Sequence, residues 1–103
     1  MATWKHLPQE VEGDYFFNGL MYVTSLVKSE LTPFEVHTIQ LSIFKRVQEQ
    51  DGLDYLQVFE HSETGKKIFC IDNLSRSMLE EQKLSPKEKQ EQNYWTMLFA
   101  EEY

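Results

Sequence analysis

The sequence predicts an α+β fold: an antiparallel sheet of about four strands, ordered strand, helix, strand, strand, strand, with one long helix packed on one face. Three observations predict it. Residues 33–50 carry one helical apolar stripe between strong start and stop signals. Residues 53–72, LDYLQVFEHSETGKKIFCID, read as two strand-like runs around a turn. The closing run, YWTMLFAEEY, alternates in side-chain direction as a strand does.

The elements follow in order. Residues 1–14 are polar, with Pro8 and Gly13, and read as an N-terminal arm that Trp4 and Leu7 can pin to a single domain spanning 15–103. Residues 15–27, YFFNGLMYVTSLV, are rich in β-branched and aromatic types, with a turn signal at Asn18-Gly19, so the first strand is placed at 20–27. Thr32-Pro33-Phe34-Glu35 then has a capping threonine, proline at the first helical position and glutamate three residues after the cap, with Leu31 as a staple. Val36, Ile39, Ile43 and Val47 form one stripe, widened by Phe44 and Leu41. Asp51-Gly52 stops the helix, with Gly52 in the left-handed conformation.

In the hairpin, a two-residue turn at Thr64-Gly65 would force a β-branched threonine to positive φ. A three-residue loop with Gly65 left-handed avoids that. It sets Val58 opposite Cys70 and Phe59 opposite Phe69. One face then carries Leu56, Val58, Ile68 and Cys70 for the helix. The other carries Tyr55, Phe59, Phe69 and Ile71, which is aromatic where the outer face of an open sheet is usually polar. Residues 75–92, SRSMLEEQKLSPKEKQEQ, read as a solvated excursion with one or two helical turns capped by Ser77 and Ser85; Pro86 prevents one long helix. In the last strand Tyr94, Thr96, Leu98 and Ala100 point one way and Trp95, Met97 and Phe99 the other.

Bulk properties narrow the function. Cys70 is the single cysteine, so no internal disulfide forms, which suits a reducing cytoplasm. No apolar run approaches the roughly 20 residues that span a bilayer, and the N-terminus lacks a signal-peptide core, so a cytoplasmic location without membrane contact is expected. A formal charge of −7 opposes direct nucleic-acid binding.

Three stretches, MYVTSLV at 21–27, DYLQVFE at 54–60 and TMLFAEEY at 96–103, together resemble the family catalogued as domain of unknown function 960. The resemblance runs from about residue 20 to the end. Ser25 and Leu26 stand where the family has a glycine, and Phe44 where it has a tryptophan. It implies a small mixed fold and an accessory role in low-GC Gram-positive bacteria or their phages and mobile elements, and it transfers no catalytic residue.

The residues offer little chemistry. His6, His37 and His61 have no metal-ligand spacing, so no metal or other cofactor is expected. Cys70 with His61 is the one candidate nucleophile pair, and the preferred register separates them onto opposite faces. The glycines at 13, 19, 52 and 65 make no phosphate-cradling loop. The expectation is a non-enzymatic protein with no catalytic residues that works by binding protein. Its candidate contact residues are the aromatic face, Tyr55, Phe59, Phe69 and Ile71, and the tail, Glu101, Glu102 and Tyr103. Asp54, Glu60 and Asp72 supply further charge. The leading partner is a host nucleic-acid-handling protein whose basic channel an acidic body occupies, as an anti-CRISPR inhibitor would; the alternative is a housekeeping homodimer joined through the aromatic face. The arm or the 75–92 excursion, with Met78, Leu79 and Leu84, are the internal candidates to cover that face.

Overall fold

The computed structural model describes residues 3–81 and 85–103. Its elements are β1 (Trp4–His6), β2 (Leu20–Val23), α1 (Ser25–Glu30), α2 (Pro33–Gln50), β3 (Leu56–His61), β4 (Lys67–Asp72), α3 (Arg76–Glu81), α4 (Pro86–Gln92), β5 (Tyr94–Phe99) and a final 3₁₀ turn (Ala100–Glu102). The fold is α+β with one long helix, as expected, but the sheet has five strands in the order β1-β3-β4-β5-β2. It is also mixed. β1, β3, β4 and β5 pair antiparallel in turn, while β2 runs parallel to β5 at the edge.

Helix α2 forms where its signals place it. Thr32 Oγ1 accepts from Glu35 N (3.1 Å) and Glu35 Oε1 accepts from Thr32 N (3.0 Å), which completes the capping box. Ile39 and Ile43 are buried and Val36 and Val47 pack against them. Leu41 and Phe44 do not widen the stripe; both face solvent. The flank beside the stripe is polar instead, because Glu35, Ser42 and Arg46 bond to Trp4, His6 and Gln57 on the β1 and β3 side of the sheet. At the C-terminus Asp51, at φ 52°, takes the left-handed position expected of Gly52, and its N–H reaches Val47 O at 2.8 Å. Gly52 follows at φ 117°, a backbone state that favours glycine.

The first strand is shorter than its composition predicts. Thr24 leaves the sheet and caps α1, its Oγ1 accepting from Val27 N (3.3 Å), so residues 25–27 are helical. A hydroxyl that satisfies a free helix N–H outweighs the β preference of that run. Gly19 is needed just before β2 because a Cβ there would sit 2.1 Å from the carbonyl oxygen of Asn93.

The hairpin corrects the expected register. Gly65 is left-handed (φ 73°), but the loop spans four residues, 62–65, closed by His61 N to Lys66 O (2.8 Å) and Gly65 N to His61 O (3.1 Å). Val58 therefore faces Phe69, and Phe59 faces Ile68. One extra loop residue turns all of β3 over. Phe59 points into the core with Ile68 and Cys70, whereas Leu56 and Val58 point away. In β5 the expected alternation is observed: Trp95, Met97 and Phe99 are buried and Tyr94, Thr96 and Leu98 lie opposite.

The core lies between the sheet and α1 and α2, and is filled by Val27, Ile39, Ile43, Phe59, Ile68, Met97 and Phe99 among others. Trp4 packs against it and donates from Nε1 to Glu35 Oε2 (2.9 Å), so the N-terminal segment enters the sheet as an edge strand. In the 75–92 stretch two short helices form. Ser85 caps α4 as expected, but Ser75 rather than Ser77 accepts from Met78 N (3.1 Å) at the start of α3; Ser77 bonds Asp14 instead. Leu84 lies outside the described residues.

Candidate functional site

Strand alternation sorts the sheet's side chains into two sets. The inner set is the core. The outer set runs Val58, Phe69 and Leu98 across the three central strands, then Leu56, Ile71, Thr96 and Tyr22 across the next row. No charged residue stands in either row. Leu20 and Tyr94 extend the surface at the β2 side. Leu20 is 61% exposed and Tyr22 51%, while the central residues are half-buried.

The charged positions lie at the ends. Lys5, Glu60 and Lys67 form a cross-strand row at one end of the face. At the other, the arm continues past β1 and stands over the face. Leu7 N donates to Val58 O (2.9 Å), and residues 7–11 wall a groove of about 510 Å³ floored by Leu56, Val58 and Phe69, with Glu10, Asp54 and Lys67 on its lining. The arm is held from the inner side by a polar cluster. Gln57, buried on β3, accepts at Oε1 from Arg46 Nη1 (3.1 Å) and lies 2.8 Å from His6 Nε2, and it donates from Nε2 to Gln9 Oε1 (2.9 Å). His6 Nδ1 meets Ser42 Oγ at 2.9 Å, and the ring stacks on Phe59 at 4.2 Å. Gln57 Oε1 can only accept, so His6 donates to it from Nε2, and in the neutral ring Nδ1 accepts from Ser42 Oγ. Burial, with Arg46 nearby, holds its pKa down at about 4.

The expected contact residues divide. Phe69 and Ile71 stand in the middle of the outer face, and Tyr103 meets Phe69 edge-on with ring centroids 5.7 Å apart. Tyr55 is partly exposed before β3 and tilts against Tyr15. Phe59 does not join them: at 1% exposure it belongs to the core, for the loop-length reason given above. Glu101 is exposed beside Lys66 and Lys67 in a shallow cavity. Glu102 is occupied locally, its Oε2 accepting from Phe99 N (2.7 Å) and Thr24 Oγ1 (3.0 Å). Asp72 is buried. Its Oδ2 accepts from Phe17 N (2.9 Å) and burial pushes its pKa up to about 6, so it adds no surface charge for a partner. Leu56, Val58, Thr96 and Leu98 were not among the expected contacts. The alternation of β5 already groups Thr96 with Leu98, but the other two needed the true register.

Of the internal candidates, the arm covers the outer rows in part: residues 7–11 wall the groove floored by Leu56, Val58 and Phe69, and Ile71, Thr96, Leu98 and Tyr22 are not on its lining. Helix α3 is tied elsewhere: Arg76 N donates to Asp14 O (2.9 Å), and Leu79 shares a cavity with Phe16, Asn18 and Leu74. Helix α4 buries no residue.

The register does bring Cys70 and His61 to the same face of the sheet, contrary to expectation, yet not together. Cys70 stands opposite Gln57, and His61 lies at the hairpin end, where its Nδ1 accepts from Glu63 N and Thr64 N (both 3.2 Å). Cys70 is fully buried and burial pushes its thiol far up, which removes the thiolate a nucleophile needs. Among the described residues no three His, Cys, Asp or Glu side chains gather as metal ligands, and no helix is long and apolar enough to cross a membrane. Compared with known proteins, the chain matches no family model, no curated protein and no solved structure.

Proposed function

We propose that the protein is a non-catalytic accessory protein that acts by protein–protein contact through the outer face of its sheet. The observation that carries this is a five-stranded sheet with two charge-free rows of apolar and aromatic side chains that stay only partly covered, with the arm walling the β3 side and Tyr103 against Phe69. A surface of that kind marks an interaction site, and Phe69 and Tyr22 are the residue types that anchor such contacts. The buried, protonated Cys70 supports a binding role over nucleophilic catalysis.

The resemblance to the domain of unknown function 960 family points this role toward a bacterium, phage or mobile element. There the acidic remainder of the body, Glu101 included, has a second use, since a formal charge of −7 suits the basic channel of a nucleic-acid-handling protein and an inhibitor of the anti-CRISPR kind. That contact is electrostatic and weakens steeply with salt, whereas contact through the outer face does not.

The test uses native size in an extract of the producing cell. The protein is expected to migrate in an assembly larger than one chain. Ile71→Lys, in the middle of the face, is expected to migrate as a single chain, and Lys87→Glu, on exposed α4, as the wild type does. A wild-type protein that migrates alone, or an assembly that Ile71→Lys leaves intact, overturns the proposal.

A further inference from the structure

The sheet ends at β2, and among the described residues no strand lies beyond it. We propose that this edge accepts an added strand from a partner protein: an extended segment that carries an apolar side chain and, two residues from it, a carboxylate. The site is separate from the outer face and does not rest on that face being an interface.

The main chain of β2 is free on one side. Leu20 N donates to Asn93 O (3.1 Å) and Thr24 N to Met97 O (3.2 Å), both toward β5. Backbone groups alternate in direction along a strand, so Tyr22 turns to β5 as well, and the N–H and C=O groups of Met21 and Val23 turn to the open side. Such a row is a template for another extended chain. The strand, LMYV, carries neither the proline nor the charge that usually protects an edge.

The inner side of the same edge is left open by the placement of α2. Glu35, Ser42 and Arg46 reach Trp4, His6 and Gln57, which draws the helix toward β1 and β3. On the β2 side a groove of about 380 Å³ remains, between Met21 and Val23 of the strand and Leu31 and Val36 beside it. Met21, Val23 and Val36 are only half-buried there. A strand added to β2 places every second side chain on the inner face, in line with Met21 and Val23, so two alternate side chains enter the groove. In recognition by strand addition the main-chain bonds give affinity and these alternate side chains give specificity.

Charge selects the segment. Lys28 and His37 stand on the groove, and no Asp or Glu does. The acids nearest to it on the same two helices are engaged elsewhere: Glu30 pairs with Lys66 (3.3 Å), and Glu35 accepts from Trp4 Nε1 and Thr32 N. Neither ion pair of the described residues uses Lys28 or His37. In a chain of formal charge −7 these are donors without a carboxylate of their own, and one on the occupant completes the site. A second copy of β2 does not fit as well, because LMYV brings no acid to Lys28.

A peptide array with the purified protein tests this. Its members are short peptides with threonine at every second position and, at the positions between, an apolar residue paired with glutamate or with lysine. Glutamate members are expected to bind at about 100 µM protein, and lysine members at least ~10-fold more weakly. Lys28→Glu, exposed on α1, is expected to reverse that preference with unchanged circular dichroism. Methylating alternate backbone nitrogens of the tightest glutamate peptide removes the N–H groups on one side of its strand. One of the two methylated forms is expected to lose binding and the other to keep it, and the form that loses it gives the strand direction. Val23→Pro removes an N–H on the open side, is tolerated at a sheet edge, and is expected to abolish binding. No bound glutamate peptide, a preference that Lys28→Glu leaves in place, or equal effects of the two methylated forms overturns the added strand. A protein that sediments as two chains without peptide, and as one after Val23→Pro, makes the occupant a second copy and also overturns it. The outer face stands or falls separately, on whether the assembly in cell extract depends on Ile71.

Discussion

The two faces of one sheet are built from the same strands and face different surroundings. Phe59, Ile68, Cys70, Trp95, Met97 and Phe99 on the inner face are all at 2% exposure or less. Their immediate neighbours Val58, Phe69, Ile71 and Leu98 are as apolar but only half-buried. Apolar character alone therefore does not assign a side chain to the core. What assigns it is the presence of α1 and α2 over one face and, among the described residues, of no helix over the other. The inner face contributes to folding; the outer face retains apolar area that folding leaves unused and association can bury.

Substitutions of one phenylalanine on each face of the paired strands β3 and β4 test this contrast most strongly. Phe59→Ala opens a cavity under α2 and is expected to cost about 3–5 kcal/mol in urea unfolding. Phe69→Ala, measured dilute enough for single chains, is expected to cost about 1 kcal/mol, because its ring is already partly in water. Equal losses would mean that the outer face is covered in the monomer.

A smaller effect comes from the two titrating groups of the inner side. Asp72 is held at about 6 by burial, against an ordinary 3.8. The fold favours its protonated form, so its contribution is complete below pH 3.8 and is lost as pH rises through 6. His6 is held at about 4, against an ordinary 6.5. The fold favours its neutral form, so its contribution is complete above pH 6.5 and is lost as pH falls through 4. Each is worth about 1–2 kcal/mol after allowance for the solvent that reaches both groups, and between pH 4 and 6 they oppose each other. Wild-type stability is expected to be nearly flat over that window. Asp72→Asn should leave stability rising with pH, and His6→Gln should leave it falling. A wild-type profile that both variants reproduce would show that neither group is linked to folding.

The smallest effect belongs to the end row. Lys67→Ala, exposed on the outer side, is expected to change stability by less than about 0.5 kcal/mol in urea unfolding. A loss as large as that of Phe69→Ala would show that the fold depends on this side chain.

Much of the architecture was legible because it is local. Thr32, Pro33 and Glu35 act on one another within a single turn, and the stripe through Ile39 and Ile43 is set by helical geometry, so α2 was readable from end to end. The alternation of β5 was readable for the same reason, as was the left-handed Gly65. The site was legible only in part. Phe69 and Ile71 were placed on the outer face, but Phe59 was placed there too, and Leu56 and Val58 were assigned to the helix side. One loop residue in the hairpin decides that, and a turn of three or four residues ending in glycine reads the same on paper.

The sequence by itself determined the class of the fold, the long helix with its caps and the terminal strand, since those depend on residues within a few positions of each other. Only the tertiary structure decided the five-strand order, the parallel pairing of β2 with β5, the entry of Trp4–His6 as an edge strand and the partly covered outer face. Each of these joins segments tens of residues apart. Their pairing energy comes from backbone hydrogen bonds that any sequence supplies and from shared burial that no local pattern encodes.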